Sequence, residues 1–168
     1  MNELRPQALH PRFLPSFLRD TSQSKLAYIL KAWLLTLLPS LALAFAVSAL
    51  FGQEKGPEFG QPGLVLFLLL VAFAPIVETL IMVLPLLLLN RLFGPQPAII
   101  VSSLGWAVAH SSQVPVWGLI VWWPFLIFST ILLVWRERGL AKGMLIVMAV
   151  HALQNAVPAL LLLADNPS

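Results

Sequence analysis

A chain of 168 residues that is 59% hydrophobic and only 10% charged, with a mean hydropathy of +0.88, is excluded from the soluble globular class, where about a quarter of residues carry charge. The absence of cysteine excludes disulfide frameworks, thiolate metal sites and a cysteine nucleophile. A net charge of +3 would invite nucleic acid, but the basic residues gather at the ends of apolar runs, where inner-leaflet lipid attracts them; the expected partner is a lipid bilayer.

The first segment, 1–25, reads as a cytoplasmic tail punctuated by Pro6, Pro11 and Pro15. Within it Phe13, Leu14, Phe17 and Leu18 stand between Arg12 and Arg19, a pattern that suits either a stretch lying on the inner membrane surface or a disordered tail. A spanning helix needs about 20 apolar residues, and runs of that order fall at 32–51, 63–90, 97–112, 115–135 and 143–163. The first is too long for the core of a signal peptide and reads as an uncleaved anchor. The second contains Pro75 and Pro85, each of which removes a backbone hydrogen bond, so a kink or tilt is expected there. The third is the shortest. Together they predict an all-α, polytopic membrane helix bundle of about five transmembrane helices, one domain over 1–168 with its N-terminus cytoplasmic.

Charge supports that count, because cytoplasmic loops collect Lys and Arg. With five spans the inner segments hold Arg5, Arg12, Arg19, Lys25, Lys31, Arg91, Arg136, Arg138 and Lys142, and the outer ones only Lys55. A re-entrant third segment would move Arg136, Arg138 and Lys142 outside and weaken the contrast. Trp33, Trp117 and Trp135 fall at span ends, as interfacial tryptophans tend to. Gly139 and Gly143 have the spacing of a close-packing motif, a weak signal at a membrane edge.

Glu3, Asp20, Glu54, Glu58, Glu137 and Asp165 fall in loops or tails, and Glu78 alone lies inside a span. An acid at the bilayer centre costs at least about 2.5 kcal/mol, so an intramembrane glutamate points to function. His110 lies in the third span and His151 in the fifth, with Asn155 four residues on and therefore on the same helical face. Taken singly, each could be interhelical glue. Counted at about 1.5 Å per residue from the inner span ends, Glu78, His110 and Asn155 lie about 20 Å deep and His151 about 14 Å. Four groups at similar depth suit hydrolysis of a peptide bond. Glu78 with His110 would activate water, and His151 with Asn155 would donate hydrogen bonds to the developing oxyanion.

Two rival chemistries use the same residues. Two histidines and a glutamate could ligate zinc, but there is no His-Glu-x-x-His, no histidine pair on one helix, and no task for the asparagine; no metal or cofactor is expected. Histidines on two helices could also hold a pigment, with Trp106, Trp122 and Trp123 stacked on its ring.

These residues resemble the CAAX protease and bacteriocin-processing family of intramembrane glutamic endopeptidases over about residues 63–160. The family's Glu-Glu-x-x-x-Arg motif is half kept, as Glu78-Thr79-Leu-Ile-Met-Val83, while an aromatic four positions before a histidine is present as Trp106-Ala-Val-Ala-His110, and His-x-x-x-Asn as His151-Ala-Leu-Gln-Asn155. The resemblance implies that Glu78 and His110 activate water, that His151 and Asn155 form the oxyanion site, and that Trp106 and Thr79 are candidate substrate contacts. The implied substrate is a membrane-anchored or lipid-modified protein cleaved within a bacterial-type inner membrane. Thr79 and Val83 replace an acid and a base four apart that would form an ion pair, so both charges are lost together. That exchange leaves open a non-catalytic relative acting as a membrane scaffold, chaperone or immunity-type partner.

Overall fold

The computed structural model describes residues 14–52 and 63–165, and every regular element among them is helical. Helix α1, Lys25–Phe51, is followed by a second long span in three parts: α2, Gly63–Leu68, a π-helical turn, Leu69–Phe73, and α3, Ala74–Phe93. Helix α4 is Pro95–Ser111, α5 is Gly118–Trp135, and a short 3-10 turn, Arg136–Arg138, leads into α6, Leu140–Asp165. Four of these helical stretches are long and apolar enough to cross a membrane: Lys25–Phe51, Gly63–Phe93, Gly118–Arg138 and Leu140–Ala164. The predicted third span, α4, is 17 residues long, at the lower limit of a spanning length.

The bundle is arranged around α5. From Pro124 to Trp135 each of its residues is buried, which is what a helix apolar on all faces requires. The outer helices bury one stripe each and turn large apolar side chains outward, as with Phe45, Leu84 and Val108. On α1 the stripe is Tyr28, Ala32, Thr36 and Ser40, whose three small members at four-residue spacing admit close helix approach. On α3 it is Pro75, Thr79, Met82 and Leu86.

Proline shapes the packing. Pro39 lies inside α1 and has no N–H to give the carbonyl of Leu35; the indole of Trp123 donates to that carbonyl instead, at 2.8 Å. At the α4–α5 corner the backbone N–H of Gly118 donates to Ser111 Oγ at 3.2 Å. A Cβ at position 118 would run into that hydroxyl and the carbonyl of Ala107, so only glycine fits. Gly94, with φ of 83°, ends α3 in a conformation that disfavours other side chains.

Three expectations change. From Leu14 onward the N-terminal segment is anchored to the bundle: Leu14 and Leu18 are buried in the core, and Tyr28 Oη donates to the Leu18 carbonyl at 3.0 Å. Phe13, Arg5, Arg12, Lys55, Glu3, Glu54 and Glu58 lie outside the described residues. Trp135 is not a lipid-facing anchor but is buried edge-on against Tyr28 at 5.0 Å; Trp117, half-buried, packs on His110. Gly143 does serve close packing, since a Cβ there would sit 3.2 Å from the Leu132 carbonyl of α5.

Candidate active site

Two polar contacts set a common level at one end of the bundle. The Asn90 amide oxygen, near the end of α3, accepts from the Arg136 guanidinium at 3.0 and 3.3 Å. Arg138 Nε, just before α6, donates to Thr21 Oγ1, just before α1, at 3.0 Å. Residue counts along α1, α3 and α6 can therefore be compared from one plane. At about 1.5 Å per residue, Glu78 on α3 and His151 with Asn155 on α6 stand about 16 to 23 Å above it.

The structure brings the four candidate polar residues to one cavity of about 490 Å³, which Glu78, His110, His151 and Asn155 all line. Glu78 Oε2 lies 3.8 Å from His151 Nε2, with the two side chains 22% and 5% exposed. That separation is too long for a hydrogen bond. It is the one acid–base pair within 4 Å among the described residues, so the glutamate's near neighbour is His151, while the sequence pairs it with His110.

The protonation of His110 follows from its partner. Its Nδ1 is 2.9 Å from the Trp106 carbonyl, and a carbonyl can only accept, so Nδ1 carries the hydrogen and Nε2 is left with the basic lone pair. The four-residue spacing of Trp106 and His110 thus fixes the imidazole through the backbone. Trp106 itself stacks on Phe125 at 4.5 Å, with 9° between the rings.

Phe125 is the wedge between the two histidines. Its ring centroid is 5.4 Å from that of His110 and 5.7 Å from that of His151. His151 also stacks on Phe128 at 4.6 Å, and Trp117 meets His110 edge-on at 4.8 Å. These contacts surround both imidazoles with aromatic surface from α5, the most buried helix, and from Trp117 just before it.

Asn155 is held by an irregularity in the second span. In the π-helical turn the N–H of Ala74 donates to the Leu69 carbonyl, five residues back, and the next residue, Pro75, has no N–H. The Leu70 carbonyl therefore loses its backbone donors on both counts. Asn155 Nδ2 donates to it at 3.0 Å, which ties α6 to the second span and leaves the second N–H of the amide for the cavity.

Two candidates stay behind the cavity wall. Thr79 is 1% exposed, its hydroxyl has no hydrogen-bond partner among the described residues, and neither it nor Trp106 lines the cavity. Phe125, Phe128, Trp117, Ser40 and Gln154, which do line it, were missed from sequence. Only Gln154 carried a signal, as a second amide beside Asn155 on an apolar helix.

An all-helical bundle with spans apolar enough to cross a bilayer and a largely apolar chamber into which a few polar side chains project defines an integral membrane protein. The chain belongs to the type II CAAX prenyl endopeptidase Rce1-like family, whose model matches residues 60–157, more than half its length. That family is one of proteases, so the resemblance read from the motifs holds at family level; α1 lies outside the matched region. No curated protein and no solved structure matches the chain.

Proposed function

We propose that the protein is a glutamate-dependent intramembrane endopeptidase that hydrolyses a peptide bond in a membrane-anchored or prenylated protein. In this reading the end bearing Lys25, Arg91 and Lys142 faces the cytoplasm of a bacterial-type inner membrane, and the whole chain is one domain. The observation that carries it is the approach of Glu78 Oε2 to His151 Nε2, 3.8 Å apart, in a cavity shared with His110 and Asn155.

Glu78 takes a proton from water, while the lone pair of His110 Nε2 orients the second hydrogen. The oxygen attacks the scissile carbonyl carbon. The resulting oxyanion accepts hydrogen bonds from His151 Nε2–H and from the free N–H of Asn155. Glu78 then returns its proton to the departing amine, and one water is consumed for each peptide bond broken. The aromatic wall of Phe125, Phe128 and Trp117 keeps other water out and holds the imidazoles in place.

The test is Glu78→Gln, purified and reconstituted, with an S-prenylated peptide ending in a Cys-aliphatic-aliphatic-X sequence. Release of the C-terminal fragment, followed by mass spectrometry, should fall by at least about 100-fold. Undiminished release would remove the proposal. A second reading, a non-catalytic membrane partner, is favoured by Thr79 and Val83 in place of the acid and base of the first motif. It predicts that Glu78→Gln complements a deletion strain as well as the native chain does.

A further inference from the structure

Ser40 belongs to none of the motifs described and lies outside the matched residues 60–157, and Gln154 fills a variable position of the His-x-x-x-Asn motif. Both line the cavity. Ser40 Oγ and Gln154 Oε1 are buried and have no hydrogen-bond partner among the described residues. Among the described buried hydroxyls Ser40 shares this only with Thr79, which does not line the cavity. Thr36 Oγ1 donates to the Trp33 carbonyl, Ser103 Oγ to Ile100 and Thr130 Oγ1 to Leu126, each satisfied by its own helix as expected in an apolar medium. Ser40 forgoes that bond while 5% exposed.

Level matters as well. Ser40 and Gln154 stand about 21 to 23 Å along α1 and α6, and Arg138 with Thr21 holds the starts of those helices together. Glu78 stands about 18 Å along α3 from Asn90, within about one helical turn of them. The two orphan oxygens therefore belong to the same layer as the carboxylate, on two helices that flank the cavity.

A peptide bond can be attacked only after its segment has left helical form, and inside a bilayer each freed backbone N–H or C=O is costly unless it finds a partner. The Gln154 oxygen can only accept, so its natural complement is an N–H; the Ser40 hydroxyl can accept or donate. Neither carries charge, and none of the described arginines and lysines lines the cavity, so the complement is a neutral amide and not a phosphate or carboxylate headgroup. We propose that Ser40 and Gln154 bind the backbone amides of an extended substrate segment beside the scissile bond, the Gln154 oxygen taking a substrate N–H. This rests on the proteolytic reading of the site.

Binding can be measured without turnover in the Glu78→Gln protein, using the S-prenylated peptide and analogues in which one backbone N–H at a time is replaced by an ester oxygen. Adding Gln154→Met or Ser40→Ala should weaken binding of the all-amide peptide roughly 5- to 30-fold. One ester analogue should bind the Glu78→Gln parent with a similar loss, and Gln154→Met should weaken that analogue no further. Unchanged binding in both variants, additive losses for every ester analogue, or no binding by the parent would each overturn the assignment. The cleavage assay with native Glu78 is read separately: the expected binding pattern without any cleavage would sink the proteolytic reading alone.

Discussion

At the end of the bundle built from the N-terminal turn and the start of α1, most polar groups are spent on one another, the indole N–H of Trp135 beside Tyr28 being an exception. Tyr28 Oη is given to Leu18, Gln23 Nε2 to the Phe17 and Asp20 carbonyls at 2.8 Å each, Lys31 Nζ to Gln23 at 3.1 Å, and Ser22 to Asp20. Some 20 Å along the same helices, Ser40 Oγ, Glu78 Oε2 and Gln154 Oε1 are buried without partners among the described residues. An unpartnered buried polar atom is costly, so the second region takes from stability what the first supplies. The comparison teaches where each kind of mutation should be felt.

Breaking the cavity should cost activity and little stability. His110→Ala should lower cleavage by about 100-fold or more, and its melting temperature should stay close to that of the native protein. Breaking the opposite end should do the reverse. Leu18 is fully buried, so Leu18→Ala should cost roughly 2–5 kcal/mol in a detergent or lipid unfolding titration while per-molecule cleavage of the folded fraction is retained.

Between the two lies Trp123. Removing its indole N–H with Trp123→Phe should cost about 1–3 kcal/mol, because the Leu35 carbonyl is left buried and unpaired. Pro39→Ala restores a backbone donor to that carbonyl, so the double variant should be more stable than Trp123→Phe alone. Additive losses in the cycle would refute the link.

The smallest effect is a pH dependence. The carboxylate of Asp20 accepts from the hydroxyl and backbone N–H of Ser22, and these bonds hold it below its ordinary range. A group lowered in the folded state stabilises above its unfolded pKa, roughly 4, and loses that contribution as pH falls through the lowered value. Asp20→Asn should therefore flatten a slight loss of stability below about pH 4, with cleavage at neutral pH unaffected.

Much of the fold is written in composition and run length. Long helices lie over the apolar runs, although α1 begins at Lys25, seven residues before its run, and Glu78, His110, His151 and Asn155 stood out because polar side chains are rare in apolar runs. The rest depends on partners far along the chain. Leu14 and Leu18 look alike in sequence whether they meet lipid headgroups or Tyr28, and only the fold decides. Pro75 and Pro39 announce that a carbonyl is freed but not which side chain claims it. The aromatic residues around the imidazoles were hidden because α5 is apolar throughout, so Phe125 carries no mark that separates it from Ile127 or Leu132.

The contact between Trp123 and the Leu35 carbonyl has a consequence for how α1 is seated. Turning α1 by one residue, about 100° about its axis, would swing that carbonyl out of reach and strand the indole N–H together with it. The bond therefore indexes the helix, as a detent fixes a shaft, and admits one azimuth. Ser40, five positions further along, inherits that angle: its hydroxyl is aimed into the chamber by a residue that belongs to another helix.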